Sequence, residues 1–263
     1  MKIAMLGLGK MGGNMAARLI RNGVSVVGYD NNQTVVNQLE ETENLIPASS
    51  VKDALSKLDE QKIVWMMLPA GEITENQIHE LVPLLNKGDV IIDGGNSNFK
   101  RSVKMGAMLE ENGIGFMDCG TSGGIWGLDN GYCLMVGASH EVAKAVEPVL
   151  RALAPTPQKG WLHVGPVGSG HFTKMIHNGI EYGMMESFAE GLELLKGREE
   201  FKIDVAQVTE LWRHGSVVRS WLLDLTAEAL KNDPTLDDIA PFVPDSGEGR
   251  WTVVESIEQG IPT

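Results

Sequence analysis

Positive charge is scarce in this chain: 22 lysines and arginines face 35 aspartates and glutamates, a formal net charge of −13 over 263 residues. That balance, with no basic stripe, excludes a nucleic-acid surface and a juxtamembrane basic cluster, so an acidic substrate needs a local positive pocket. Cysteine is scarcer still. Cys119 and Cys133 stand alone, without CxxC spacing, which excludes a disulfide framework and fits packing roles in a reducing compartment. The six histidines include no HExxH or comparable metal spacing, and no metal is expected. No apolar run approaches the ~18 residues of a membrane span. The chain opens directly into a strand without a leader-like charged region, so it reads as cytoplasmic, with no membrane partner. An apolar content of 43% excludes disorder, and the length suggests two domains or one large one.

What is present begins with a short apolar run over 3–6, followed by Gly7, Leu8, Gly9, Lys10, Met11 and Gly12, then Met15, Leu19 and Ile20 at helical spacing. This reads as strand, GxGxxG turn and helix. The first two glycines permit a tight turn and let backbone N–H groups approach a pyrophosphate, and the third lets the helix pack closely. A second strand over 24–29 ends in Asp30, near the spacing at which a carboxylate holds the adenosine ribose. Such a group accepts from the 2′- and 3′-hydroxyls of NAD and repels the 2′-phosphate of NADP, and no arginine follows in Asn31, Asn32, Gln33 and Thr34. NAD is therefore expected over NADP.

Helix and strand go on alternating: a helix over 51–58, a strand over 63–68, a helix over 75–85, and strands over 90–93 and 114–117. Last strands over 132–136 and 161–164 flank a helix over 141–153. The fold class expected is α/β, an N-terminal Rossmann doubly wound sheet followed by an all-α domain. Two loops leave carboxyl ends of strands, where ligands bind in open sheets. One, over 69–71, carries Pro69 and Ala70 just after Leu68, which ends its strand, and the other, over 94–97, carries Asn96; a turn asparagine that binds nothing is the plain alternative for Asn96. The stretch 118–124 reads as a glycine-rich turn able to present N–H groups to an anion, with Ser122 adding a hydroxyl beside Gly123 and Gly124, or equally as a plain flexible loop.

From Gly168 onward only helices are expected, over 168–196, 204–213, 217–231 and 251–259, with a loop over 237–249. The domains are set at 1–166, binding NAD, and 167–263, helical, for substrate and dimerisation. In the first helix Lys174, His177, Asn178 and Glu181 fall at i, i+3, i+4 and i+7, with Tyr182 at i+8, a polar stripe on a segment that reads as buried on most sides. An ordinary surface face with a Lys/Glu pair has the same spacing.

Four separated motifs, GLGKMG at 7–12, DGGNS at 93–97, TSGG at 121–124 and GHFTKMIHNGIEYG at 170–183, resemble the β-hydroxyacid dehydrogenase superfamily, specifically the short, NAD-preferring bacterial 6-phosphogluconate dehydrogenases. The resemblance implies that Lys174 is the general base at the substrate's 3-hydroxyl and that Glu181 is the general acid that protonates the enediol. It implies that Asn96, Ser122, Gly123, Gly124, His177, Asn178 and Tyr182 contact a small phosphorylated sugar acid, with Asn96 also near the cofactor. It further implies a homodimer or higher homo-oligomer.

A lysine acting as base near neutral pH must lose about 3 units from about 10.4, which burial can supply. Glu181 must hold its proton until its step, so the two are expected to sit apart across the substrate rather than pair. Departures from the family pattern are Ile125 and Trp126 where longer members carry acids, GEGRWT at 247–252 in place of a GTGKWT-like motif, and Ser246 in place of a lysine. The family's phosphate-binding arginine falls beyond Thr263, where the sequence stops just after a helix and reads as interrupted; Arg219 and Arg250 are the local cations, with surface pairing as their alternative. Two other activities stay open: a non-decarboxylating dehydrogenase of the 3-hydroxyisobutyrate type, and a non-catalytic NAD-binding module.

Overall fold

Alternate side chains of the first strand, β1 (Lys2–Leu6), go to opposite faces of a sheet: Ile3 and Met5 join one buried cluster, Ala4 and Leu6 another. The two-residue strand period dictates this, and a run apolar at every position follows when both faces are covered. A computed structural model describes residues 1–243 and 245–262. The chain divides into two compact units, one ending at Met175 and one starting at Ile176.

In the first unit the elements run β1, α1 (Lys10–Arg21), β2 (Ser25–Tyr29), α2 (Gln33–Glu43), β3 (Ile46–Pro47), α3 (Val51–Ser56), β4 (Ile63–Met66), α4 (Glu72–Leu81), β5 (Val90–Asp93), α5 (Phe99–Glu111), β6 (Gly115–Ser122), α6 (Gly127–Asn130), β7 (Cys133–Ala138), α7 (His140–Leu153) and β8 (Trp161–Gly165). The strands form one sheet in the order β3-β2-β1-β4-β5-β6-β7-β8. All pairings are parallel except β6 with β7. Met15 and Leu19 of α1 and Val146, Val149 and Leu150 of α7 cover one face; Leu55 of α3, Ile78 of α4 and Leu109 of α5 cover the other. The expected Rossmann sheet followed by helices is what forms, and the strand order reverses at the β1/β4 crevice.

Local chemistry starts these helices. Asn32, Ser50, Asn98 and Ser139 accept backbone N–H groups at the N-termini of α2, α3, α5 and α7, meeting donors a helix cannot satisfy itself. The starts of α1 and α4 differ: Gly9 and Gly71 precede them, and no side chain caps either. The sequence reading leaves α2 and α5 unassigned, and it carries the strand over 63–68 two residues past the end of β4.

α8 (Ser169–Gly197) begins in the first unit and continues into the second, followed by α9 (Val205–Trp212), α10 (Trp221–Asn232) and α11 (Glu248–Gln259). The helix expected over 217–231 starts only at Trp221, where Ser220 caps it, and the loop expected over 237–249 gives way to α11 at Glu248. In the second unit Leu223, Ala227 and Leu230 are buried, while Ile180, Leu194, Leu211, Val217 and Ile257 are exposed, Val217 completely. The expectation that 165–186 is buried on most sides is therefore corrected: Gly168, Gly170, His171, Lys174 and Met175 are buried, Pro166 is exposed, and from Ile180 to Glu186 the side chains are half-buried or exposed. Among the described residues no helix is long and apolar enough to cross a membrane.

One arginine ties α1 to the far end of the sheet. Arg18 Nε donates to Leu153 O at 2.8 Å and Nη2 to Ala154 O at 2.7 Å, while Nη1 donates to Leu128 O at 3.0 Å. Leu153 and Ala154 end α7, where carbonyls lack helical partners. Arg18→Ala is expected to lower unfolding free energy by about 3 kcal/mol, and Arg18→Lys to recover less than half of that, because one ammonium cannot reproduce the fork. Urea unfolding tests this; an unchanged midpoint at unchanged m-value would show that water replaces the guanidinium without cost.

Candidate functional site

The glycine-rich turn after β1 shows why each glycine is there. Gly7 has φ +88°, and a Cβ on it would lie 2.4 Å from Met67 O; a Cβ on Gly12 would lie 2.0 Å from Gly7 O, so α1 sits directly on the turn. Gly9 differs: a Cβ there would meet no protein atom within 4 Å. Open space beside an uncapped helix start is what a pyrophosphate needs. At the end of β2, Asp30 Oδ2 accepts from Leu8 N at 2.7 Å and Oδ1 from Asn32 N at 2.8 Å. The carboxylate is thereby held against the turn, and each oxygen keeps a second lone pair. Lys10 is exposed and Met11 half-buried beside it. Leu68, Pro69 and Ala70 follow β4 at the same edge of the sheet, with Pro69 O accepting from Thr74 Oγ1 at 2.9 Å. These residues fit a dinucleotide.

At the next loop Asp93 does work that its place in the DGGNS motif did not assign. Its Oδ1 accepts from Gly95 N at 3.0 Å and its Oδ2 from Ser97 Oγ at 2.7 Å, which pins both sides of Asn96 and leaves Asn96 exposed. The glycine-rich turn expected over 118–124 is corrected. Residues through Ser122 are strand β6, paired antiparallel with β7 in the register Asp118↔Gly137 to Ser122↔Cys133, because the antiparallel partner satisfies those backbone groups. Only Gly123 (φ +135°) and Gly124 (φ +53°) turn the chain.

Lys174 is buried, 8% exposed. Its stem lies against Gly120, where a Cβ would come within 2.4 Å of Lys174 Cβ, so the first unit brings Lys174 to the strand that ends in Ser122. Sequence reasoning missed the group beneath it. Asp118, fully buried, accepts from Gly168 N at 2.6 Å and from His171 N at 2.7 Å. Burial pushes its carboxyl above the usual carboxylate range, opposed by the nearby His171 and by the two N–H donors.

In the second unit His177 Nδ1 lies 3.1 Å from Asn178 Oδ1 and 3.7 Å from Glu181 Oε2. Glu181 and Tyr182 are partly exposed. The GEGRWT motif packs on this stretch: a Cβ on Gly179 would lie 2.6 Å from Thr252 Cγ2, and one on Gly249 would lie 3.6 Å from Tyr182. Ser246 Oγ donates to the buried carboxylate of Glu248. Arg250 pairs with Asp245 at 2.9 Å on the surface, the alternative allowed for it, and Arg219 is exposed. Among the described residues no group of three or more His, Cys, Asp or Glu side chains is placed to hold a metal ion.

Two family models match, the NAD binding domain of 6-phosphogluconate dehydrogenase over residues 2–165 and the 6-phosphogluconate dehydrogenase C-terminal domain over 170–263. YqeC of Bacillus subtilis, provisionally named a 6-phosphogluconate dehydrogenase, is 45% identical, the match covering 98% of this chain and 85% of that one. The NAD(+)-dependent, decarboxylating 6-phosphogluconate dehydrogenase of Haloferax volcanii is 39% identical, covering 100% and 86% respectively. The solved 6-phosphogluconate dehydrogenase of Plasmodium falciparum matches with a TM-score of 0.90 at 28% identity, covering all of this chain and 59% of that one, so this chain spans little more than half of that longer protein. On these matches the chain belongs to the 6-phosphogluconate dehydrogenase family.

Proposed function

We propose that the chain catalyses the NAD-dependent oxidative decarboxylation of 6-phospho-D-gluconate to D-ribulose 5-phosphate, CO2 and NADH. The observation that carries this reading is the buried Lys174 on α8, followed on the same helix by His177, Asn178, Glu181 and Tyr182. A simple hydroxyacid oxidation needs the lysine but no later acid. Residues 1–166 form the NAD-binding domain in this reading, and 167–263 the helical substrate and dimerisation domain, whose exposed apolar side chains a second copy covers.

Gly7, Gly9, Lys10, Met11 and Gly12 hold the pyrophosphate through backbone donors, and Leu68, Pro69, Ala70 and Asn96 border the cofactor. NAD, when bound, supplies the acceptor for the hydride leaving C3. Lys174 takes the C3 hydroxyl proton as that hydride leaves. The product is a 3-keto acid, and the ammonium of Lys174 then donates to the keto oxygen while the C1–C2 bond electrons flow toward it and CO2 departs. Glu181 protonates the carbon that has lost CO2 while the enediol hydroxyl at the former C3 returns its proton to Lys174, giving the ketose. Asn96, Ser122, Gly123, Gly124, His177, Asn178 and Tyr182 orient the sugar acid.

Asp30 supports NAD over NADP, since a 2′-phosphate would meet a carboxylate fixed in place by Leu8 N and Asn32 N. Relatives differ: the Haloferax enzyme is NAD(+)-dependent and the Plasmodium enzyme was solved with NADP+.

With 6-phosphogluconate and NAD, stoichiometric NADH and CO2 are expected, and NAD binding with neither product would overturn the reading. Lys174→Met should abolish NADH formation, while Glu181→Gln should lower the overall rate about 100-fold, within the range general acids contribute. Near-normal turnover by Lys174→Met would end the assignment. Combining Asp30→Asn with Asn31→Arg should raise the NADP/NAD ratio of kcat/KM at least about tenfold; an unchanged ratio means that Asp30 does not face the ribose. Gly9→Ala should keep the melting temperature and weaken NAD at least about tenfold, whereas Gly12→Ala should lower the melting temperature itself, since its Cβ has no room. Calorimetric titration beside thermal unfolding separates the two.

A further inference from the structure

We propose that Asp118 is a positioning residue that sets Lys174 against the end of β6 by holding the first turn of α8. The proposal rests on the reading of Lys174 as the base, and it adds a residue on which that reading is silent.

Asp118 lies in the middle of the sheet, beside Asp93 of β5 and Gly137 of β7. A carboxylate buried there must find donors. It finds two N–H groups that the start of a helix leaves unmet, Gly168 N at 2.6 Å and His171 N at 2.7 Å. Gly168, immediately before the helix, has no side chain to cap it, so the cap comes from a strand 50 residues away. Distances this short belong to charge-assisted bonds, and the helix dipole favours negative charge at this end.

His171 ties the same turn to α5. Its Nδ1 lies 2.7 Å from Ser102 Oγ, both groups buried, and its Nε2 has no hydrogen-bond partner among the described residues.

The backbone fit leaves no slack. A Cβ on Gly137 would lie 2.5 Å from Asp118 Oδ1, and one on Gly170 would lie 2.4 Å from Asp118 O and 2.5 Å from Met135 O. Asp118, Gly120 and Ser122 alternate onto one face of β6: the first holds the helix start, the second admits the Lys174 stem, and the third ends the strand. Lys174 is one helical turn from His171, so displacement of the capped turn displaces the amine.

Asp118→Asn keeps the shape but turns an amide N–H2 toward one of the two N–H donors. The test is reductive methylation of the whole protein with formaldehyde, read at each lysine by peptide mass spectrometry, beside steady-state kinetics. Labelling of Lys174 relative to the exposed Lys52 should rise at least about threefold. The kcat should fall at least about tenfold with KM for NAD unchanged, as expected for a misplaced base. A uniform rise across all lysines with kcat per folded site unchanged means general destabilisation and overturns the proposal, as does no change at Lys174. Labelling needs no turnover, so an inactive wild type would sink the proposed reaction and leave this test standing. Should Asp118→Asn not fold, Gly120→Ala and Ser102→Ala approach the same turn from either side; an unchanged Lys174 rate in both overturns the proposal.

Discussion

The structure of the first unit depends on the contact of the α8 backbone with β6 and β7. Helices usually stand off a sheet by the thickness of their side chains. Here Gly120, Gly137 and Gly170 remove that layer, and main chain meets main chain. The position of Lys174 is then fixed by peptide geometry and by one buried carboxylate rather than by side chains that can change rotamer. In the role proposed for Lys174, a base that must meet a hydroxyl within a few tenths of an ångström gains from such a mounting.

Two helix starts in this unit show the same physics used in opposite ways. At α8 the unmet N–H groups are filled from within, by Asp118. At α1 they are left for something else: Gly9 offers no side chain, a Cβ on it would meet no atom within 4 Å beyond its chain neighbours, and Asp30 holds the turn from the side without capping the helix. This also resolves the tension between a net charge of −13 and an anionic ligand. A pyrophosphate can be met by oriented backbone N–H groups, which add no formal charge.

How far the sequence disclosed this follows from the range of each interaction. The turn at 7–12, its strand and Asp30 were legible because they are local patterns within one βαβ unit. Asp118 was not, because its donors lie 50 residues on and a strand-end aspartate looks the same whether or not it caps a distant helix. The extension of β6 through Ser122 was hidden by glycine and hydroxyl residues that read as a turn until the antiparallel partner is known. α2 escaped notice because only Val36 is buried in it, which leaves almost no periodic stripe. α5 was obscured by Gly106 at its centre, where a Cβ would strike Val167.

The correction to α8 has a different origin. The apolar residues of α8 are buried or half-buried as far as Ile176; beyond that, Ile180, Met185 and Leu194 are exposed. Periodicity reports that a face seeks cover without saying which surface provides it. At roughly 25 cal/mol per Å2 of apolar surface, a unit that buries Leu223, Ala227 and Leu230 but exposes Leu211, Val217 and Ile257 draws little stability from its own core. In the proposed dimer the helical unit's stability is therefore tied to protomer concentration in a way that the first unit's, closed on both faces of its sheet, is not. A fall in stability on dilution should accordingly appear in the amide-exchange protection of α10 before it appears in that of β4, whose Trp65 is wholly buried in the first unit's core.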